Sequence, residues 1–495
     1  MPRNVWCGNL RWPSGRNLGD FARDIFRIEN CTTDRDKALA FYKWFIRCFM
    51  RGPNYETPDG FGGYSRTFDA LRMFASFGHF ECTGFGWIPA EALQAAGLKA
   101  RRVCGQNDGH TIYEVWYKGL DGKEGWHAFD AHQCWYFLNR KGEVASCEEL
   151  TADHNLVHAP AGHSDPLGYN TDYAYLGKRH AWSDALDVIQ QVRNETLGWD
   201  LKPGMEAAIL FEPADPRHIL FCGNEYPLGS HCQIPAYDHC GALLFPENEP
   251  YWNNYRRPMP DNAWIVNNGK AVRTHGCGAL RWSPLLQGAE AVEWQAHAVF
   301  ENNTARPSGK NKHTEIWYRL TLPYYATHLL VDGYVRCATG SDYCGVAISS
   351  DKGTTILPLA DKLRNNFRLL NGLEERKNNK PSVQFLRDLW VRIELHSHDG
   401  EASPVLEYLR FTFGFQHNMF TQPLLLPGKN ALWLEGAEMK GCRVNATLRY
   451  TLKGAEGLVE MESSRDGRVE KEVTLDCSRP DDITMRGITL ACEKA

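Results

Sequence analysis

The chain has 495 residues, 43% hydrophobic and 23% charged, with a formal net charge of -5. That length exceeds what one hydrophobic core usually holds, so two or three domains are expected, with the composition of ordinary folded protein. The mild negative charge without a basic run excludes a typical nucleic-acid binder, and no apolar stretch approaches the roughly 18 residues that span a bilayer.

The opening MPRNVWCGNLRWPSG has no hydrophobic run behind its basic residue and does not read as a signal peptide. The compartment is left undecided between cytoplasm and export. Residues 33–51 form the clearest helix: Thr33 and Asp36 make a capping box, Leu39, Tyr42, Phe45, Ile46 and Phe49 recur at helical spacing, and Gly52-Pro53 ends the run. The Gly- and Tyr-rich loop PNYETPDGFGGYSR, with Tyr64 and Arg66, precedes a second helix over about 67–77.

Cys82 follows in HFECTGFGWIPAEALQAAGLKARRV, where a glycine-punctuated turn leads into an apolar helical run that stops at Gly97. A helix start supplies partial positive charge, and with a histidinium alongside it lowers a thiol pKa from about 8.5 by several units. Gly84, Gly86 and Pro89 are poor helix residues, because proline lacks an N–H and clashes one turn back. The helix is therefore expected to begin near Pro89, with Cys82 on a tight loop ahead of it. His110 opens HTIYEVWY, an alternating strand, and Asp130 closes a second one, GWHAFD. Between them GLDGKEG, with Asp121-Gly122, reads as a hairpin turn. Antiparallel neighbours would set His110 beside Asp130, with the helix of Cys82 packed across them.

This order of cysteine on a helix, histidine on the next strand and aspartate on the one after resembles the transglutaminase-like superfamily, the papain-related fold of transglutaminases, some peptidases and peptide N-glycanases. AEALQAAGLKARRV resembles the helix and turn after that family's nucleophile, Glu114 and Trp116 follow His110 as its motif has them, and Trp126 precedes Asp130 in the usual place. The resemblance covers roughly residues 33–150. It implies a catalytic domain within 1–200 and a Cys82, His110, Asp130 triad, and it implies no calcium, since no EF-hand-type carboxylate loop is present.

After Cys147 regular structure thins, and the turn-rich stretch 158–180 is expected to wrap over the first domain. Residues 201–290 carry short strand-like pieces (AAILF, HILF, ALLF) among proline and glycine and read as a β-rich connecting arm. From 291 to 495, AVEWQAHAVF, EIWYRLTL, HLLVDGYVRC, GVAIS, WVRIELHSH, VLEYLRFTFGF and RVNATLRYTL are β-type runs at sandwich-like spacing. SSDKGTT and SSRDGRV between strands read as hairpin turns. The charged segment ADKLRNNFRLLNGLEERKNNKPS reads as a solvated excursion with one short helix, and His396 and His398 as solvent-facing strand residues. The expected fold is thus α+β: a transglutaminase-like (papain-like) N-terminal domain, a β-rich arm and a C-terminal antiparallel β-sandwich.

The 16 cysteines contain no CxxC pair and no matching Cys/His spacing, so no structural zinc site or other cofactor is expected. The scatter suits reduced thiols, with Cys222, Cys232 and Cys240 close enough for a bridge in an exported form. Two chemistries fit the motif region. In the first, Cys82 attacks an amide, peptide or glycopeptide carbonyl, His110 shuttles the proton, Asp130 orients His110, and His79 lies near the oxyanion. In the second, the same cleft cleaves an acidic polysaccharide as a lyase, or less readily a hydrolase, with His110 or His79 as base, Tyr64 or Tyr113 as acid and Arg66 neutralising the uronate. The 16 Trp, 20 Tyr and 23 Phe offer rings for stacking on sugars, although most such rings belong in cores.

Overall fold

The structure, a computed structural model, describes residues 1–51, 57–58, 64–65, 69–77, 79–80, 82–105, 111–131, 136–153, 156, 182–183, 195–211, 264–267, 270–273, 275–287, 292–372, 374–375, 378, 380–398 and 403–495. Among these, every α-helix longer than a single turn lies before residue 153, and the chain beyond 200 is strand with isolated helical turns. The expected bridge among Cys222, Cys232 and Cys240, the wrapping segment 158–180 and the pieces HILF and ALLF lie outside the described residues.

Helix α1 (Leu18–Ile28) is capped by Asn17, whose side chain accepts from the N–H groups of Gly19 and Asp20. It buries Leu18, Phe21, Ala22, Ile25 and Phe26 at helical spacing. Helix α2 (Asp34–Cys48) carries the expected capping box, with Thr33 and Asp36 satisfying each other's backbone N–H. Helix α3 (Ala70–Ser76), capped by Asp69, is buried along its whole length and realises the helix expected over 67–77. The short helix α5 (Cys147–Ala152) has a second capping box, Ser146 with Glu149.

Helix α4 (Cys82–Ala95) departs from expectation, since it starts at Cys82 and holds Pro89 in its interior. Packing explains the departure. Phe85, Ile88, Ala92 and Leu93 are buried in the main core, and such tertiary burial outweighs local propensity. Gly86 is required rather than tolerated: a Cβ there would stand 2.4 Å from Thr111 Cγ2 and 2.9 Å from the Ile112 carbonyl oxygen. Gly97, at φ 95°, ends the run as expected.

Strands β1 (Arg3–Asn9), β2 (Lys99–Gly105), β3 (Thr111–Lys118) and β4 (Glu124–Phe129) follow in chain order through this half. β4, β3 and β2 are consecutive neighbours in a four-stranded antiparallel sheet completed by residues 182–183. Further along lie β5 (Met205–Leu210), β6 (His275–Trp282), β7 (His313–Thr321), β8 (Ala326–Arg336), β9 (Tyr343–Ser349), β10 (Leu357–Leu363), β11 (Asp388–His396) and β12 (Val405–Asn418). The last are β13 (Gly428–Ala437), β14 (Cys442–Leu452), β15 (Ala455–Ser463), β16 (Gly467–Leu475) and β17 (Ile483–Lys494). A ten-stranded sheet runs through β12, β6, β5, β17, β14 and β15, with β8 also on β12. A five-stranded sheet holds β7, β11, β9 and β10, and a three-stranded sheet holds β1, β13 and β16. The two larger sheets stack through Tyr318 of β7, whose ring centroid is 5.6 Å from Trp282 of β6 and 5.2 Å from Phe411 of β12.

Two expectations for this half are corrected. Residues 455–463 and 467–475 flank SSRDGRV but belong to different sheets, so this turn is not a hairpin; it carries the chain from the ten-stranded sheet to the three-stranded one. The segment from Ala360 begins as strand and not as an excursion: β10 and residues 365–371 are strands, the first paired with β9 and the second with β8, and helical residues follow at 374–375. Both lie at sheet edges, where charges such as Asp361, Lys362 and Arg368 discourage edge-to-edge pairing.

The helices meet the sandwich at the end of α3. Gln416 and Asn418 of β12 donate to the carbonyls of Ser76 (3.2 Å) and Phe74 (3.3 Å), and the Tyr325 N–H donates to Ser76 Oγ at 3.1 Å. The carbonyls that a helix leaves orphaned at its C-terminus are thus satisfied from the other half of the chain.

The Gly86 contact makes a prediction with a diagnostic sign. In an exposed helix Gly→Ala adds about 1 kcal/mol, whereas here Gly86→Ala should cost about 1–3 kcal/mol through overpacking. A lowered urea midpoint, followed by the ellipticity of the helices, is the expected result. A variant as stable as the parent would contradict the close approach of α4 to β3.

Candidate active site around Cys82

The antiparallel pairing of β3 with β4 runs from Tyr113 opposite Phe129 to Lys118 opposite Glu124. The expected turn closes it: Gly122 sits at φ 78°, and Asp121 accepts from the Lys123 N–H at 3.0 Å. Alternation then sorts the side chains. Tyr113, Val115, Tyr117 and Phe129 face the core shared with α2 and α4, whereas Ile112 and Ala128 join a smaller core with Val103, Phe137, Cys147 and Leu150 on the opposite face.

Cys82 is the first residue of α4 and half-buried. Gly86, one turn along the same helix face, rests on Thr111. His110 lies outside the described residues, but it is bonded to Thr111, the first residue of β3. Asp130 follows the last residue of β4 and is fully buried. Its charge adds to the burial that raises the Tyr113 phenol and the Cys147 thiol.

The other predicted residues divide sharply. Glu114 is fully buried and its two oxygens are committed, one to Arg101 (Nε 2.8 Å) and one to the Cys147 N–H (2.8 Å), so it braces the sheet against α5 and does not meet substrate directly. Trp116 packs edge-on against Trp126 at 5.3 Å with the Lys99 ammonium 4.1 Å from its ring. At about 3.3 Å per residue it stands roughly 16 Å along β3 from Thr111, at the far end from Cys82. Tyr113 is also fully buried, stacked on Phe129 at 5.6 Å, and burial raises its phenol well above the usual value. That removes it as the accessible acid of a polysaccharide lyase. Tyr64 is opposite Pro58 and His79 opposite Met50 in short strand pairs, and Arg66 lies outside the described residues.

Arg102 escaped the sequence reading, since nothing in ARRV distinguishes it. It sits opposite Tyr113 on the α4 side of β2, with its Cγ 3.3 Å from the position a Gly86 Cβ would take and its guanidinium 4.9 Å from the Trp87 ring. Two of the other thiols are poor nucleophiles: burial pushes Cys7 up to about 12 and raises Cys147 strongly, the latter with help from Glu114.

No family model and no curated protein matches this chain. Among solved structures, one β-D-mannosidase from Dictyoglomus thermophilum aligns at 8% identity and a TM-score of 0.14, over 33% of this chain and 24% of its own length. That similarity is too slight to carry an argument about fold or function.

The Arg101–Glu114 pair offers a test of the brace. Arg101→Ala strands a buried carboxylate and should cost about 3 kcal/mol, whereas Glu114→Gln, which keeps an acceptor for the Cys147 N–H, should cost less. Equal, small losses in denaturant midpoint would mean that the sheet is not braced there.

Proposed function

We propose that the chain is a transglutaminase-like cysteine enzyme that uses Cys82, His110 and Asp130 on an amide, peptide or glycopeptide bond. The observation that supports this most is the placement of α4: it begins at Cys82 and lies against the start of β3, the strand that follows His110, while β4 ends immediately before Asp130. A helix and a hairpin in contact, in the order that the resemblance implies, support this reading.

In this reading the Cys82 thiolate, favoured by the positive end of α4, attacks the carbonyl carbon. His110 holds the thiol proton and delivers it to the departing amine as the C–N bond breaks. Asp130, buried at the end of β4, orients the imidazole and offsets its charge. The thioester then passes its acyl group to water or to an amine, with His110 taking the proton of the incoming nucleophile. The developing oxyanion is met by the Cys82 N–H, with His79 of the short strand ahead of α4 as the second donor. Arg102 of β2 and Trp87 of α4, with the guanidinium 4.9 Å from the indole ring, form a cationic and aromatic wall for substrate.

Cys82→Ala should abolish turnover of amide or glycopeptide substrates while keeping the melting temperature within a few degrees, because a half-buried thiol contributes little packing. Asp130→Asn should fold and lose about 10⁴ in kcat through the wrong imidazole tautomer. Full activity in either variant would end the triad reading. Unsaturated uronate formed from polyuronates and insensitive to iodoacetamide would replace it with elimination chemistry.

A further inference from the structure

The outer face of the five-stranded sheet carries a cluster that the proposed chemistry does not use. Cross-strand register stacks it in rows: His313 of β7 opposite His396 of β11, which is opposite Tyr343 of β9, and one step inward Glu315 opposite Glu394, which is opposite Gly345. Residues 314, 316, 318 and 320 of β7 are buried, so His313 and Glu315 point outward. We propose that His313, His396 and Glu394 form a binding site for a zinc-class divalent cation.

The geometry carries the assignment. The two Nδ1 atoms are 3.2 Å apart. Metal–nitrogen bonds of about 2.0–2.1 Å in a tetrahedral site set neighbouring ligand atoms about 3.3 Å apart. One ligand atom from each of His313, Glu394 and His396 lies within 4.8 Å of the others. The Glu315 carboxylate accepts from His313 Nε2 at 3.1 Å, which fixes the proton on Nε2 and leaves the Nδ1 lone pair directed at His396. A carboxylate behind a ligating histidine is the usual support of a metal site. Tyr343 stacks on the His396 ring at 4.3 Å and 17°, which holds its orientation. Gly345 leaves room: a Cβ there would lie 3.1 Å from Glu394 Oε2 and 3.6 Å from Asp361 Oδ1.

Charge also favours a cation. Arg392 pairs with Glu394 at 3.2 Å and Glu315 at 3.5 Å, but Glu315, Glu394 and Asp361 set three carboxylates against that one guanidinium. The His313 side chain is 45% exposed, so an ion can enter from solvent. Two imidazoles and one carboxylate suit zinc, nickel or copper over magnesium or calcium, and three protein ligands leave a position for water or an external donor.

The full chain, stripped of metal with a chelator, is titrated with Zn²⁺ against a chromophoric competitor, beside His313→Asn/His396→Asn. The parent should bind one equivalent more than the double variant, and Glu315→Gln should weaken that equivalent about ten-fold. Diethylpyrocarbonate mapping of the parent gives a readout independent of any variant: Zn²⁺ should protect His313 and His396 and leave the exposed His297 reactive. Equal stoichiometry in parent and double variant, or protection no greater than at His297, would overturn the site and leave only a hydrogen-bonded histidine pair.

Discussion

The contact between Gly86 and the first residues of β3 governs the N-terminal half. With no Cβ at 86, the helix approaches the strand closely enough for backbone to meet side chain, and Cys82, one turn earlier, is held at the end of the sheet where β3 begins. The other end of α4 is fixed as tightly. Gly19 of α1 lets that helix reach the Ala95 carbonyl, where a Cβ would come within 2.8 Å, and Arg23 donates to the same carbonyl oxygen at 2.8 Å. A helix pinned at both ends tolerates Pro89 in its middle, because the intrahelical hydrogen bond that proline deletes costs less than the burial of Phe85, Ile88 and Leu93 returns.

The sandwich is a structural partner of this half. Gln416 and Asn418 close the end of α3 shortly before the chain enters α4, and β1 pairs with β13 so that the first strand of the chain lies in a sheet with strands from its end. Trp12 extends the joint by donating from its indole to the Phe420 carbonyl at 2.8 Å. Loss of the C-terminal strands would therefore be felt at the segment that carries Cys82.

What the sequence disclosed was local. Thr33 with Asp36 announces α2, and Asp121-Gly122 announces the β3–β4 turn, because capping boxes and turn residues act within a few positions. Gly84, Gly86 and Pro89 point to a later start of α4 than the structure has, since propensity is blind to the Thr111 surface that makes Gly86 necessary. SSRDGRV shows the same limit: its residues reverse the chain, but pairing with β13 in one sheet and β14 in the other is decided by distant partners. The order of Cys82, His110 and Asp130 is readable because the three lie within about fifty residues of sequence. The His313 and His396 pair was not, because 83 positions separate two residues that only the β7–β11 register brings face to face.

The central claim is that α4 and His110 together make Cys82 a nucleophile. Its most direct test is the pH dependence of Cys82 alkylation by iodoacetamide, followed by peptide mapping, in the parent and in His110→Ala. The account predicts rapid alkylation of the parent well below the ordinary thiol pKa of about 8.5 and a shift of the midpoint upward when His110 is removed. A midpoint near 8.5 that is unchanged in His110→Ala would contradict it.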